Sequence, residues 1–356
     1  MTMARRYTYI VEIAFVGRRS TCAIGTKMSE YLMSGGKMDT FEFKKNGFTI
    51  TAERSAIYAD GSILSSDRNG LYGQVMKGLL VYYALSSDFP KIKSICIVRK
   101  RKKPYSDVMY SETVGFRQPM IPSKNRRLTF STANIDEILN ETPKGYAVRT
   151  AMTYWLKAAN STDLYFRFDR YWKAYDRLLL YEGNGANQKN SIIDIKNKIS
   201  VNEVLFVKSK ALINTYSDAY IRSFSWNHLL YSKSKKYTVP QEISRRAMEY
   251  TDSRAIRLYK HLLDGEKIDA ALVLAGLRAI VDAHFVANAT TRKDIDIVVL
   301  MSLSYTYYVR CRMFHGETPD STFKLKDTNE DREIEELVKL LELVTFELLE
   351  NSHILR

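Results

Sequence analysis

The sequence predicts an α+β protein, with a mixed α/β domain over residues 1–145 followed by an all-helical domain over 146–356. Three observations carry this. Short β-branched and aromatic runs bounded by turn residues are concentrated in the first part of the chain. Pro104, Pro119, Pro122 and Pro143, four of the seven prolines, punctuate the stretch before Lys144-Gly145 and set a boundary near 145. Beyond it, apolar residues recur at helical spacing in one segment after another. With 356 residues, 45% of them apolar, the chain can bury sizeable cores, which excludes wholesale disorder.

In chain order, residues 7–16 are β-branched and aromatic and end at the turn-like Gly17-Arg18-Arg19-Ser20, so a strand opens the first domain. Met38 to Thr51 alternates around Lys44-Lys45-Asn46-Gly47, where Asn-Gly between apolar runs signals a hairpin. Leu71, Val75, Leu79 and Tyr82 or Tyr83 share a face of a helix over 71–85. A strand over Ile92–Val98 leads into Arg99-Lys100-Arg101-Lys102-Lys103. In the second domain, Phe168, Trp172, Tyr175 and Leu179 mark a helix over 163–182, and these aromatics are expected in its core rather than around a cofactor. Further helices are expected over 201–231, 240–263, 266–286, 295–314 and 331–350, the last with acidic residues in its first turn. A helical bundle is the consistent architecture.

Composition narrows the function. Of a formal charge of +14, residues 1–150 hold +11, from 24 basic and 13 acidic side chains, which points to a polyanionic partner, nucleic acid before membrane. Arg99, Lys100, Arg101, Lys102 and Lys103, flanked by Lys91, Lys93, Lys124, Arg126 and Arg127, would form a groove that tracks an RNA or DNA backbone. A solvated loop is the alternative for such a run. Cys22, Cys96 and Cys311 are too scattered for a disulfide framework or a CxxC zinc site, so no metal is expected and the cytoplasm fits best. The run from Tyr7 to Val16 contains Glu12 and does not read as an export signal, and no apolar run approaches a membrane span. Gly183-Asn184-Gly185 lacks the third glycine and preceding strand of a dinucleotide loop, and no cofactor is expected.

The stretch Tyr305 to Glu317 combines an aromatic helix-like run, Arg310, Arg312, His315 and a stop at Gly316. An arginine matches phosphate and a histidine titrates near neutrality. Spacing alone decides nothing, because Arg222 precedes His228, Arg254 precedes His261 and Arg278 precedes His284 in similar fashion. A helix end at which Arg and His favour the dipole is the structural alternative. Five residues are about 140° around an ideal helix, so Arg310 and His315 do not share a stripe, whereas Arg312 lies nearer the histidine's face.

Tyr308-Val309-Arg310-Cys311-Arg312-Met313-Phe314-His315-Gly316 resembles the Arg-x4-His signature of HEPN domains. The upstream segment from Phe168 to Asp176 is similar to the Trp-containing helix that many of these domains carry. The resemblance covers about residues 150–350 and leaves 1–145 without a match. It implies a HEPN-like helical bundle that dimerises and, in many members, cleaves RNA without a metal at a composite cleft. Arg310 and His315 would then be the catalytic pair, with Arg312 a rival anion ligand and Asp176 a supporting carboxylate. Cys311 stands where the family usually has Asn. Glu317 stands where nucleotidylation-controlled toxins of the family have Tyr. The expected activity is an endoribonuclease of prokaryotic antiviral or toxin-like defence that leaves 2′,3′-cyclic phosphate, with a regulatory partner or antitoxin. The alternative is a dimeric protein that binds nucleic acid or nucleotide without catalysis.

Overall fold

The computed structural model describes residues 7–31, 36–55, 64, 70–101, 107–118, 128–184, 188–226, 238–265, 271–314 and 326–356. The architecture is α+β: a six-stranded antiparallel sheet and a majority of helix. The chain forms two compact units, the first from Met1–Asp163, Asp176–Tyr181 and Leu349–Arg356, the second from Leu164–Tyr175 and Glu182–Leu348.

In the first unit, strands β1 (Tyr7–Phe15), β2 (Gly25–Glu30), β3 (Met38–Lys44), β4 (Gly47–Arg54), β5 (Ile92–Arg101) and β6 (Val108–Thr113) are ordered β2-β3-β4-β1-β5-β6. Alternate residues of β1, namely Tyr7, Tyr9, Val11, Ile13 and Phe15, are buried on one face, which is the period of a half-covered strand. Helix α1 (Gly70–Leu85) covers that face: Tyr82 stacks on Phe15 at 4.2 Å between ring centroids. A methyl group at Gly78 would overlap the Phe48 ring, so the glycine sets how closely the helix approaches the sheet. Helices α2 (Ile135–Leu139) and α3 (Pro143–Ala159) pack against α1. Thr142 caps α3, its hydroxyl accepting from the Gly145 amide at 2.9 Å.

The expected hairpin is present, but its turn is Lys45-Asn46 and Gly47 opens β4. The glycine is needed there for another reason, since a side chain would collide with the Ile13 carbonyl of β1. The fourth expected strand runs three residues further than its apolar pattern, so Arg99, Lys100 and Arg101 belong to a strand and not to a loop. Strands β2 and β6 were not expected.

The second unit is helical. It holds the first part of α4 (Leu164–Glu182), then α5 (Gln188–Val201), α6 (Val207–Asn214), α7 (Asp218–Arg222), α8 (Val239–Ala247), α9 (Ser253–Gly265) and α10 (Ala271–Ala287). After these come α11 (Asp294–Val299), a π-helical turn (Leu300–Tyr305), α12 (Thr306–Phe314) and most of α13 (Asn329–Glu350). Three expectations are corrected. The helix expected over 201–231 is interrupted: α5 ends at Val201, and Ser217 caps a separate α7 by accepting from the Tyr220 amide at 3.1 Å. The helix expected over 240–263 breaks between Ala247 and Ser253, where the Asp252 carboxylate takes the Arg254 amide at 2.8 Å. The helix expected over 295–314 contains the π turn. Residues 227–231 and 266–270 lie outside the described residues. Among the described residues, no helix is long and apolar enough to cross a membrane.

Candidate functional site

The helical line that carries Arg310 starts from a buried charge cluster. Asp296, in the first turn of α11, accepts from the amides of Thr251 and Asp252 at 2.7 and 3.1 Å. Asp252 takes the Lys293 amide at 2.7 Å and the Arg254 guanidinium at 3.0 and 2.8 Å, and Arg254 also reaches Asp294 at 2.6 Å. Burial works against the Asp252 carboxylate, yet Arg254 and the Lys293 amide outweigh it and hold its pKa below the ordinary value. The start of the line is therefore fixed by charge-assisted bonds.

The middle of the line is the π turn, a wide turn of a kind that recurs at functional sites. The Thr306 hydroxyl donates to the Met301 carbonyl at 2.9 Å, five residues back, beside the Thr306 amide, which reaches the same carbonyl. Tyr305, at its end, donates to the buried Glu333 carboxylate, whose other oxygen takes the amide and hydroxyl of Ser225 at 3.0 and 2.9 Å. Burial, reinforced by the Glu333 carboxylate, raises the Tyr305 phenol above its ordinary pKa. The Tyr305 ring packs on Trp226 and Phe224 at centroid distances of 4.7 and 5.7 Å. These contacts fix the rotation at which α12 begins.

On α12, Tyr307 lies 6.1 Å from Trp172 of α4, and Tyr175 of α4 meets Ser302 at 3.4 Å. Tyr307 and Arg310 are three residues apart and share a side of the helix, so Arg310 emerges on the side that faces Trp172. Arg310, Cys311 and Arg312 are all half-buried. The helix that carries Trp172 and the helix that carries Arg310 thus meet within the second unit. His315 and Gly316 lie outside the described residues, as does Glu317. Asp176 is grouped with the first unit and Arg310 with the second.

The basic run is divided by the pleat of β5. Arg99 and Arg101 stand opposite Tyr9 and Tyr7, on the covered face, and Lys100 opposite Thr8 on the other. Arg99 lies over the rings of Tyr110 and Tyr7, at 5.3 and 6.0 Å. Lys102, Lys103, Lys124, Arg126 and Arg127 lie outside the described residues. Of the other histidines, His284 places Nε2 at 2.8 Å from the Tyr250 carbonyl and Nδ1 at 3.4 Å from Asn288, a structural role. His261 and His353 are exposed, and His228 lies outside the described residues.

A second polar cluster escaped the sequence reading. Lys77, buried on the sheet-facing side of α1, donates to Ser29 at 3.0 Å and to the carbonyls of Glu30 and Leu139 at 2.6 and 3.1 Å, and pairs with Glu141 at 2.6 Å. Arg149 donates to the carbonyls of Ile138 and Asn140 and to Glu141. Two cations thereby satisfy the carbonyls at the end of α2. Burial lowers the Lys77 ammonium below its ordinary pKa, against the pull of Glu141. The only sequence signal is that Gln74 and Lys77 interrupt an otherwise apolar helix face.

Among the described residues no group of His, Cys, Asp and Glu is arranged to hold a metal ion. Comparison of the chain with protein-family models, curated proteins and solved structures finds no match.

Proposed function

We propose that the protein is a metal-independent endoribonuclease of the HEPN type, with its reaction centred on Arg310 and His315. The observation that supports this reading most is the packing of Tyr307, the residue before the Arg-x4-His stretch, on Trp172 of the other segment at 6.1 Å. In this reading His315 moves the proton between the RNA 2′-hydroxyl and the leaving 5′-oxygen. Arg310, with Arg312 beside it, neutralises the phosphorane, for which a guanidinium offers two parallel donors. Attack of the 2′-oxygen breaks the P–O5′ bond and leaves a 2′,3′-cyclic phosphate and a 5′-hydroxyl. A second copy brings a second Arg-His pair to the cleft, which answers the 140° separation along one helix. The basic first unit binds the RNA in this proposal. The place in antiviral or toxin-like defence, with a regulatory partner or antitoxin, follows from family analogy alone.

Cys311 favours a second reading, a protein that binds RNA without cutting it, because it removes the amide the family uses beside its arginine. Incubating wild-type, Arg310→Ala and His315→Ala protein with RNA and with DNA of the same sequence, in EDTA, separates the two. Cleavage of RNA only, lost in both variants, is expected. RNA retention without any cleavage by the wild type would establish the second reading instead.

A further inference from the structure

Three connections of the first unit meet at one end of its sheet, where β1 and β3 finish and β4 and β5 begin. The Phe15 amide donates to the Asn46 carbonyl at 2.7 Å, the Val16 amide to the Lys91 carbonyl at 2.9 Å and the Arg19 amide to the Lys45 carbonyl at 2.6 Å. The Tyr82 hydroxyl of α1 reaches the Lys45 carbonyl as well, at 2.8 Å. Gly17, with a φ of +85°, makes the turn out of β1. The Arg19 guanidinium closes that turn by donating to the Val16 carbonyl at 2.8 Å and to Asp88 at 2.7 Å. The Gln118 side chain accepts from the Ile92 amide at 3.0 Å and donates to its carbonyl at 2.6 Å, which ties the segment bearing Arg117 to the start of β5.

The side chains that this backbone presents are of one sign. Arg18, Lys45, Lys91, Lys93 and Arg117 are all exposed. The nearby carboxylates are already neutralised, Asp88 by Arg19 and Glu42 by Lys44 at 3.0 Å. Among the described residues, Arg18, Lys45, Lys91 and Lys93 have no acidic partner. Like charges gathered by a fixed backbone repel, and a polyanion that neutralises them releases its own counterions. The far end of β5 differs. Its ten residues span about 30 Å, so Lys91 and Lys93 stand apart from Arg99 and Lys100. At that end Asp39 neutralises Arg54, and Arg99 lies over the Tyr7 and Tyr110 rings. The uncovered face between the two ends carries Glu12 and Glu53, both exposed, which repel a polyanion laid along it.

We propose that this end of the sheet, built from Arg18, Lys45, Lys91 and Lys93, is the surface on which the first unit holds RNA, each cation taking one phosphate of the strand. The inference rests on the reading that the first unit binds RNA, and not on the cleavage reaction. Three of the four cations are lysines, which meet phosphate as point charges, so the surface fixes the strand without selecting its sequence.

Fluorescence anisotropy of the full chain with a labelled 2′-O-methyl RNA, which has no free 2′-hydroxyl to attack, tests binding apart from cleavage. The logarithm of the affinity falls with the logarithm of the salt concentration, and each phosphate contact on a single strand contributes about 0.7 to the slope. Arg18→Gln, Lys45→Gln and Lys91→Gln together should therefore make the slope shallower by about two and weaken binding about a hundredfold at about 100 mM salt. The thermal melt of this triple variant should match the wild type, because the three side chains are exposed and hold no carboxylate among the described residues. A wild type that binds the strand and a triple variant with the same slope and affinity would overturn the proposal alone. A wild type that binds phosphatidylserine vesicles and no RNA would overturn it together with the reading it rests on. A wild type that binds the strand but leaves unmodified RNA intact removes the ribonuclease reading, and the loss of binding in the triple variant then still establishes the surface.

Discussion

The cluster around Lys77 in the first unit and the cluster around Asp252 in the second are both buried, and they have opposite polarity. The first gathers cations on the carbonyls that end α2, and the second gathers carboxylates on the amides that precede α9 and α11. The balance of forces differs as well. At Lys77 burial outweighs the partners and lowers the ammonium pKa, whereas at Asp252 the partners outweigh burial and the charged form is kept. The Asp252 cluster therefore depends on its charges, while the Lys77 cluster tolerates its charge. That matters for function because the Asp252 cluster anchors the helical line that leads to Arg310.

Removing Arg254 should have the largest effect. Arg254→Met leaves Asp252 buried without its cation and should cost about 3–5 kcal/mol of stability in urea unfolding. Lys77→Met should cost less, about 1–2 kcal/mol, because three of its four partners keep a second donor. Glu141 keeps Arg149, the Glu30 carbonyl keeps Gln74, and the Leu139 carbonyl keeps Ser29. Equal losses in the two variants would show that the clusters work alike.

Acidity sharpens the same contrast. Asp252 has a folded pKa below its ordinary 3.8, so its contribution is present above that value and is lost as the pH falls through the folded one. Lys77 has a folded pKa below 10.5, so between the two values the unfolded chain holds more protons and stability rises with pH. Thermal melts of wild type and Lys77→Met should differ in slope only on the alkaline side. A difference confined to acid would contradict the assignment. The smallest effect is expected at Glu333→Gln, which keeps the shape around Tyr305 and Ser225 but weakens charge-assisted bonds, at about 1 kcal/mol in the same unfolding measurement.

How far the sequence revealed the molecule depended on whether an element has one buried face. β1 and the β3–β4 hairpin were legible because alternate residues such as Tyr9, Val11 and Ile13 face a core. β2 and β6 are the sheet's edges; only Ser29 of β2 and no residue of β6 is buried, so no alternation marks them. In β5 the charges of Arg99 and Arg101 concealed a strand that the register continues. Breaks inside predicted helices were hidden because Ser217 and Asp252 start a new helix by capping geometry, which apolar spacing does not record. At the candidate site, the helix bearing Arg310 and Arg312 was legible, as was the helix bearing Trp172. Their contact, the π turn and the Tyr305–Glu333 bond join residues distant in sequence and had no local signal.

In the proposed function, Arg310 of α12 and His315 beyond it cut RNA. Mapping the ends of RNA incubated with the full-length protein in EDTA tests it most directly. The claim predicts 2′,3′-cyclic phosphate and 5′-hydroxyl ends with the wild type, and their disappearance in a folded His315→Ala variant. The same ends at the same rate from His315→Ala, or no cleavage by the wild type at any protein concentration, would contradict it.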